Sequence, residues 1–311
     1  MAILGTRLPI VQAPIGSAVS PELVAAVGEA GALGMLAATW HSPEGLAADI
    51  AAVRKLTAAP FGVNLVLDFP IDALLEVALQ AEVPVISTFW GEAGQVHERI
   101  AAAGATHVHV VGSTEEARHA EGCGVDILVA QGLEAGGHVR GTVGTMSLVP
   151  AVVDAVDVPV LAAGGITDRR GMAAALALGA SGVWVGTRFV GTRESRAHVV
   201  YRRAIVAADA EDAVWTTRFD GGWPDAPHRA LRNSSLAADL ARDVVAHRAD
   251  GGPIRRYDDT VPLTGMTGEL EALAMYAGQG VGTIRSVQTV AAVVSELAAG
   301  MPQSAPTRSN R

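Results

Sequence analysis

Eight times between residues 9 and 187 the chain repeats one pattern: a short apolar stretch rich in β-branched residues, then an alanine-rich stretch with helical spacing. The apolar stretches are PIVQAP (9–14), ALGMLAA (32–38), FGVNLVL (61–67), VPVIST (83–88), THVHVVG (106–112), VDILVAQG (125–132), VPVLAAGG (158–165) and SGVWVGT (181–187). They are continuous and do not alternate, which is how strands read when both faces of a sheet are covered. A helix between successive strands implies right-handed crossovers and parallel pairing. SPELVAAVGEAG illustrates the linking helices, with Ser20 as N-cap, Pro21 as first helical residue and Gly31 as terminator. TDRRGMAAALALGA and STEEARHAEGCG open on similar caps. Eight strands is the number that closes such a sheet, so the pattern predicts an α/β fold, a (β/α)8 TIM barrel. An open doubly wound sheet would alternate in the same way, but the G-x-G-x-x-G it would carry after the first strand is missing.

After GTRFVGTRES the pattern changes. Residues 191–280 hold helical stretches at about 194–208 and 233–248 around a Gly-, Pro-, Trp- and Asp-rich middle, FDGGWPDAPHRALRN. The expectation is a mostly helical insertion after the eighth strand, capping the barrel mouth. The barrel then comprises 1–190 and 281–300, with IRSVQTVAAVVSELAAG as its last helix, and 301–311 reads as a disordered tail.

Composition narrows the partners. Half the 311 residues are hydrophobic, 35 are glycine and only 4% are aromatic, which suits closely packed helices and strands. A formal net charge of −9 with no block of Lys or Arg argues against nucleic acid and against anionic membranes. The apolar runs are too short and too often broken to span a bilayer. One cysteine, Cys123, rules out an intramolecular disulfide, and the opening MAILGTRLPIVQAP lacks the features of a signal peptide. A cytoplasmic protein is expected.

In a barrel, chemistry belongs at the carboxyl ends of the strands. The seventh strand ends in AAGGITD and the eighth in VGTRF, so Gly164, Gly165 and Gly186 would let backbone N–H groups approach a ligand. With the helix starts that follow, they suggest a phosphate cradle. Asn64, Gln12 and Gln131 place amides on three strands, where they could offer donors and acceptors to a flat heterocycle. His138, after two glycines beyond the sixth strand, suits a general base or hydrogen-bond donor facing a substrate, with Glu134 orienting it or facing solvent. His107 and His109 share a strand face without a carboxylate or cysteine to complete a metal set, so no metal site is expected. Cys123, at a helix end away from the strand tips, is given no catalytic role.

AQGLEAGGH, PVLAAGGITD and VGTRF, with PIVQAPI before them and AGQGVG after, resemble the motifs of the nitronate monooxygenases, formerly 2-nitropropane dioxygenases. The resemblance covers nearly the whole chain. It implies an FMN-bearing TIM barrel in which Asn64, Gln131, Gly136, Gly165 and Gly186–Phe189 (Gly186, Thr187, Arg188 and Phe189) contact FMN. Gly164 and Gly165 would join Gly186 at its phosphate, and Ala13, Pro14 and Ile15 would lie by backbone against the flavin ring. Gly278 and Gln279 would close the isoalloxazine side, and His138 aligns with the family's catalytic histidine. The implied reaction is oxidation of alkyl nitronates by O2 to a carbonyl compound and nitrite, by one-electron transfer to the flavin. The enoyl-ACP reductase II enzymes and the NADH:quinone reductases are built on the same barrel and share EAGGH, AGGI and GTRF. An NAD(P)H-dependent FMN reductase of enoyl thioesters or quinones therefore stays open, as does a non-catalytic flavin-binding barrel. ISTFWG (86–91) and Gln131, where similar reductases carry Glu, lean towards nitronates. The insertion GGWPDAPHRALRN, with Trp223 and with Trp215 nearby, departs from that pattern. Apolar surface at the mouth would serve substrate binding or a homodimer equally well.

Overall fold

The computed structural model describes residues 4–302. All eight predicted strands are present: β1 (Ile10–Gln12), β2 (Gly34–Ala37), β3 (Phe61–Val66), β4 (Val85–Phe89), β5 (Thr106–Val111) and β6 (Ile127–Gln131), then β8 (Val160–Ala163) and β9 (Gly182–Val185). Between β6 and β8 lies a two-residue strand, β7 (Gly137–His138), that belongs to another sheet. The eight pair in parallel in the order β1-β9-β8-β6-β5-β4-β3-β2. A parallel bridge, Val11 to Leu33, completes the ring between β1 and the segment leading into β2.

That seam has a side-chain brace. Gln12, fully buried, accepts from the Met35 N–H at 3.1 Å and donates to the Met35 carbonyl at 3.4 Å. Its amide is occupied in closing the barrel and is absent from the residues that line the central cavity.

Both faces of the ring are buried, as the unbroken apolar runs require. Val11, Met35, Val85, Val108, Ile127, Val129 and Leu161 pack inside it. Leu36, Val63, Leu65, Ile86, Leu128, Ala162 and Val183 face the surrounding helices. Those helices are α1 (Pro21–Glu29), α2 (Pro43–Leu56), α3 (Asp72–Gln80), α4 (Gly94–Ala102), α5 (Thr114–Gly122), α6 (Thr145–Val153) and α7 (Arg169–Ala177). The predicted caps form: Ser20, Ser113 and Asp168 each accept from backbone N–H groups of the first turn that follows. Among the described residues no helix is long and apolar enough to cross a membrane.

Residues 191–280 are less helical than expected. After the short α8 (Thr187–Val190), the stretch near 194–208 forms α9 (Val199–Ala207). The second predicted helix is a correction: only α10 (Ser234–Ala237) forms, and the chain then becomes a strand. Strands β10 (Ala213–Thr216) and β11 (His228–Leu231) join β7 in one antiparallel sheet. Strands β12 (Val244–His247), β13 (Pro253–Arg255) and β14 (Thr267–Gly268) form another. The reason is tertiary. Val245 and Ala246 are both needed in a small core with Ile254, Met266 and Leu270, and the register shift between Val244 and Ala246 on β12 lets two adjacent residues reach it. The last helix, α11 (Val290–Ala298), buries Val290, Val293, Val294 and Leu297 in the main core. The predicted tail lies outside the described residues from 303 onward.

Candidate active site

One large cavity opens at the carboxyl ends of the strands, where barrel geometry places function. Eleven of the predicted site residues line it: Ala13, Pro14, Ile15, Asn64, Gln131, Gly136, His138, Gly164, Gly165, Gly186 and Thr187. Three do not. Arg188 is buried and turns away to Glu296, at 2.9 Å, and to Gln288. Phe189 is in the main core. Gln279 is exposed, although its neighbours Gly278 and Gly280 line the cavity. Within the single turn of α8, Thr187 and Val190 face the mouth while Arg188 and Phe189 turn inward, and Gln279 is the exposed first residue of a separate 3-10 turn, Gln279–Thr283.

The opening of the sixth-strand loop is built by close backbone contact. A Cβ on Gly136 would lie 2.4 Å from the Gly278 nitrogen, and one on Gly278 would lie 2.7 Å from the Glu134 carbonyl. The glycines let segment 277–280 lie directly on the loop after β6. The Gln279 N–H then donates to the Glu134 carbonyl at 2.9 Å, and the Gly278 N–H donates to the Thr187 hydroxyl at 3.0 Å. Gly137 is different: it has φ +72°, and a Cβ there would meet nothing within 4 Å. Its need is conformational, the left-handed turn that swings His138 over the cavity.

His138 is held from both sides. The Gln131 side-chain amide donates to its carbonyl at 3.2 Å, and β7 pairs antiparallel with β11, placing His228 opposite His138. Trp223 stacks on the imidazole at 4.1 Å and 26°, and Tyr276 lies 5.4 Å away. The buried Nε2 has no hydrogen-bond partner among the described residues. Burial, aided by His228, pushes the His138 pKa down to about 3, so the ring is neutral at ordinary pH. His228 is neutral too: its Nδ1–H donates to the Ala226 carbonyl at 2.9 Å while its Nε2 accepts from the Phe219 N–H at 3.3 Å. Glu134 neither orients His138 nor faces solvent freely. Its carboxylate accepts from the Thr145 N–H at 3.0 and 3.1 Å and caps α6.

A second set of residues, to which no sequence motif points, comes from the segment after β9. Tyr276 donates to Asp259 at 2.6 Å, and both line the cavity with Tyr201, Val261 and Trp223. Burial raises the Asp259 carboxyl to about 6, against the pull of the Tyr276 hydrogen bond. Arg229, almost fully buried, donates through Nε and Nη2 to the Leu133 carbonyl at 3.2 and 3.0 Å and through Nη1 to the Ala213 carbonyl at 2.9 Å. It ties the loop that carries His138 to β10 and β11. No local spacing announces these contacts: Tyr276 and Asp259 are 17 positions apart, Arg229 and Ala213 are 16 apart, and Arg229 and Leu133 are 96 apart. The scarcity of aromatics was the readable signal, for Trp40, Phe89, Trp184 and Trp223 all reach this one cavity.

Asn64 donates to the Ser87 hydroxyl at 2.8 Å and so is positioned across β3 and β4. No lysine or arginine is among the residues lining the cavity, so a bound phosphate would rely on backbone N–H groups and hydroxyls at Gly164, Gly165, Gly186 and Thr187. His107 and His109 face outward from β5 and bond to the Thr88 hydroxyl at 2.8 and 2.7 Å, away from the cavity.

Comparison with known proteins gives a consistent result. The family model described as nitronate monooxygenase matches residues 1–73 and 69–300. The chain is 39% identical over 224 residues to the (3aS,4S,5R,7aS)-5-hydroxy-7a-methyl-1-oxo-octahydro-1H-indene-4-carboxyl-CoA dehydrogenase of Mycobacterium tuberculosis, covering 70% of this chain and 62% of that protein. It is 35% identical over 266 residues to a probable nitronate monooxygenase of Staphylococcus aureus, covering 70% of this chain and 75% of that one. Among solved structures, FabK from Thermotoga maritima superposes with a TM-score of 0.82 at 33% identity, covering 95% of this chain and 93% of that one. Nitroalkane oxidase from Streptomyces ansochromogenes gives 0.77 at 32%, covering 94% and 95%.

Proposed function

The chain belongs to the nitronate monooxygenase family, and on that premise we propose that it is an FMN-dependent enzyme that oxidises nitronates with O2 to a carbonyl compound and nitrite. It is an oxidoreductase, and the family is one of flavoproteins, generally FMN-dependent. The cavity suits that cofactor: flexible glycines at Gly164 and Gly165 and the α8 start at Gly186 and Thr187 would take the phosphate. The backbone of Ala13–Ile15, the amides of Asn64 and Gln131 and the Gly136 backbone would border the ring. FMN when bound supplies the electron acceptor for the substrate and the group that O2 reoxidises. Residues 191–280 are read as an insertion that caps this mouth.

The observation that carries the proposal is His138. A neutral imidazole with an unpartnered buried Nε2 can donate a hydrogen bond to a planar anion such as the nitro oxygens of a nitronate. Approach of that anion favours the protonated ring, so binding itself would strengthen the interaction. Without an anion beside it the same ring is a weak base, so preformed nitronates are the expected substrates in preference to neutral nitroalkanes. His138→Ala should keep its flavin and lose about a hundredfold or more in kcat/KM, and full turnover in that variant would remove His138 from the reaction. The test of the whole reading is anaerobic mixing with propyl nitronate and, separately, with NADH and NADPH, while the visible flavin band is followed. Bleaching by the nitronate alone supports the proposal.

Bleaching by a nicotinamide alone supports a second reading, reduction of an enoyl thioester. One feature favours it: Asp259, with its pKa near 6 and its hydrogen bond to Tyr276, is a proton source of the kind a reduced enoyl group needs at its α-carbon. The chain spans 62% of the length of the two curated CoA-thioester dehydrogenases it matches, and their chemistry enters here as part of this second reading only.

A further inference from the structure

The sequence has five tryptophans and five phenylalanines, and five of those ten stand together at one side of the cavity mouth. Trp40 follows β2, Phe69 follows β3, Phe89 ends β4 with Trp90 just after it, and Trp223 comes from the segment after β9. Ring centroids are 4.7 Å apart for Trp40 and Phe69, 5.3 Å for Phe69 and Trp223, 4.8 Å for Trp223 and Trp90, and 5.8 Å for Trp90 and Phe89. Trp40, Phe89 and Trp223 line the cavity, and Phe69 and Trp90 back them. Asp68 holds the Trp223 indole N–H at 3.4 Å, and the other end of this array is His138 itself, stacked on Trp223.

Core packing alone does not account for the arrangement. An aromatic cluster that served only the core would bury its own members, yet Trp40 is 48% exposed at the mouth. Position around the ring matters as well. The strand order puts β3 and β4 across the barrel from β8 and β9, whose loops hold the phosphate cradle. A cofactor anchored at that cradle leaves the aromatic side to whatever else enters.

We propose that this aromatic wall is where the substrate's body docks, and that the substrate carries its reacting anionic group on a flat, uncharged aryl or fused-ring skeleton. The inference rests on reading this cavity as the substrate site and names the substrate class within it. A flat ring covers the exposed indole of Trp40 and meets it in the offset or edge-on geometry that aromatic pairs prefer. A short alkyl chain leaves that indole wet. Val261, Tyr201 and Tyr276 in the same lining are largely apolar, the absence of lysine and arginine from it disfavours a second negative charge on the skeleton, and the one acidic group there, Asp259, is already taken by the Tyr276 hydroxyl.

The test is calorimetric titration of the flavin-loaded protein with two unreactive planar carboxylates, propionate and 2-naphthylacetate, which stand in for a small and a ring-bearing nitronate. The naphthyl acid should bind at least about tenfold tighter, and Trp40→Ala should reduce that preference about tenfold, with Phe69→Ala reducing it less. Equal affinities, no binding of either acid, or a preference untouched in both variants would overturn the proposal. Nitrite release from arylmethyl and alkyl nitronates is assayed separately. Naphthyl selectivity without any nitrite would refute the nitronate reaction and leave the docking surface standing.

Discussion

At the scale of single residues, the phosphate end of the cavity invites a substitution that changes charge and little else. Gly165 lines the cavity with φ +71°, a conformation that Asn and Asp tolerate better than other side chains. Gly165→Asp would set a carboxylate against the FMN phosphate, whereas Gly165→Asn has the same shape without the charge. Gly165→Asp should therefore purify with little flavin and Gly165→Asn with much of it, as read from the visible absorbance per chain. Equal flavin in both would remove the phosphate from this loop. A second contrast separates the two glycines before His138. Gly136→Ala drives a methyl into the Gly278 backbone at 2.4 Å, while Gly137→Ala meets open space and bears only the left-handed strain, about 1–2 kcal/mol. Gly136→Ala should thus lower the Tm more, and the reverse order in thermal melts would contradict the packing. The sequence reading brought both glycines to the site. The close contact of Gly136 with the segment at 277–280 was not legible, because that segment is far away in sequence.

Among elements, legibility followed locality. Strands, helices and caps of the barrel could be read because each is fixed by its own run of residues: Ser20 bonds three residues on, and Val160–Ala163 is apolar on both faces. The segment after β9 was harder, because its strands are short and are decided by partners elsewhere. HRAL at 228–231 gives no strand signal alone, yet it is β11, with β10 on one side and β7 on the other. The 233–248 stretch has helical spacing, but Val245 and Ala246 are taken by the core of the second small sheet. Of the site, the residues on strand ends were legible, while Tyr276, Asp259 and Arg229 were not. Arg229 is the test of whether β11 governs the His138 loop. Arg229→Ala would leave the carbonyls of Leu133 and Ala213 without a charged donor, each such bond being worth about 1.5–3 kcal/mol. The expected result is a loss of about 3 kcal/mol in urea unfolding together with a drop in kcat/KM. A variant with normal turnover would show that the loop holds its shape without this tie.

For the whole molecule, the least expected feature is a buried histidine row between the barrel and its helices. His97 and His107 meet through their Nδ1 atoms at 3.3 Å, and the Thr88 hydroxyl joins His107 to His109. Burial is the first cause that holds His107 down to about 3 and His109 to about 4; the adjacent imidazoles of His109 and His97 add to it at His107, and Arg140 and His119 add to it at His109 against the pull of Glu92. An unfolded histidine titrates near 6.5. Below that pH the unfolded chain takes up protons that the folded chain refuses, so stability present in full above about 6.5 is lost as the pH falls towards 4. The slope is about 1.4 kcal/mol per pH unit for each histidine. Asp259 works the other way: its carboxyl is raised to about 6, so the folded chain takes that proton first and offsets roughly one histidine between 6 and 4. His138 and His228, both lowered chiefly by burial, restore the balance towards acid sensitivity. The urea midpoint should consequently be clearly lower at pH 5.0 than at pH 7.5. His109→Leu removes one of the groups that must charge, and its midpoint should fall less over the same interval. Parallel falls in the two proteins would mean that acid acts elsewhere, while no fall in either would show that the buried row accepts protons without opening the helix layer over it.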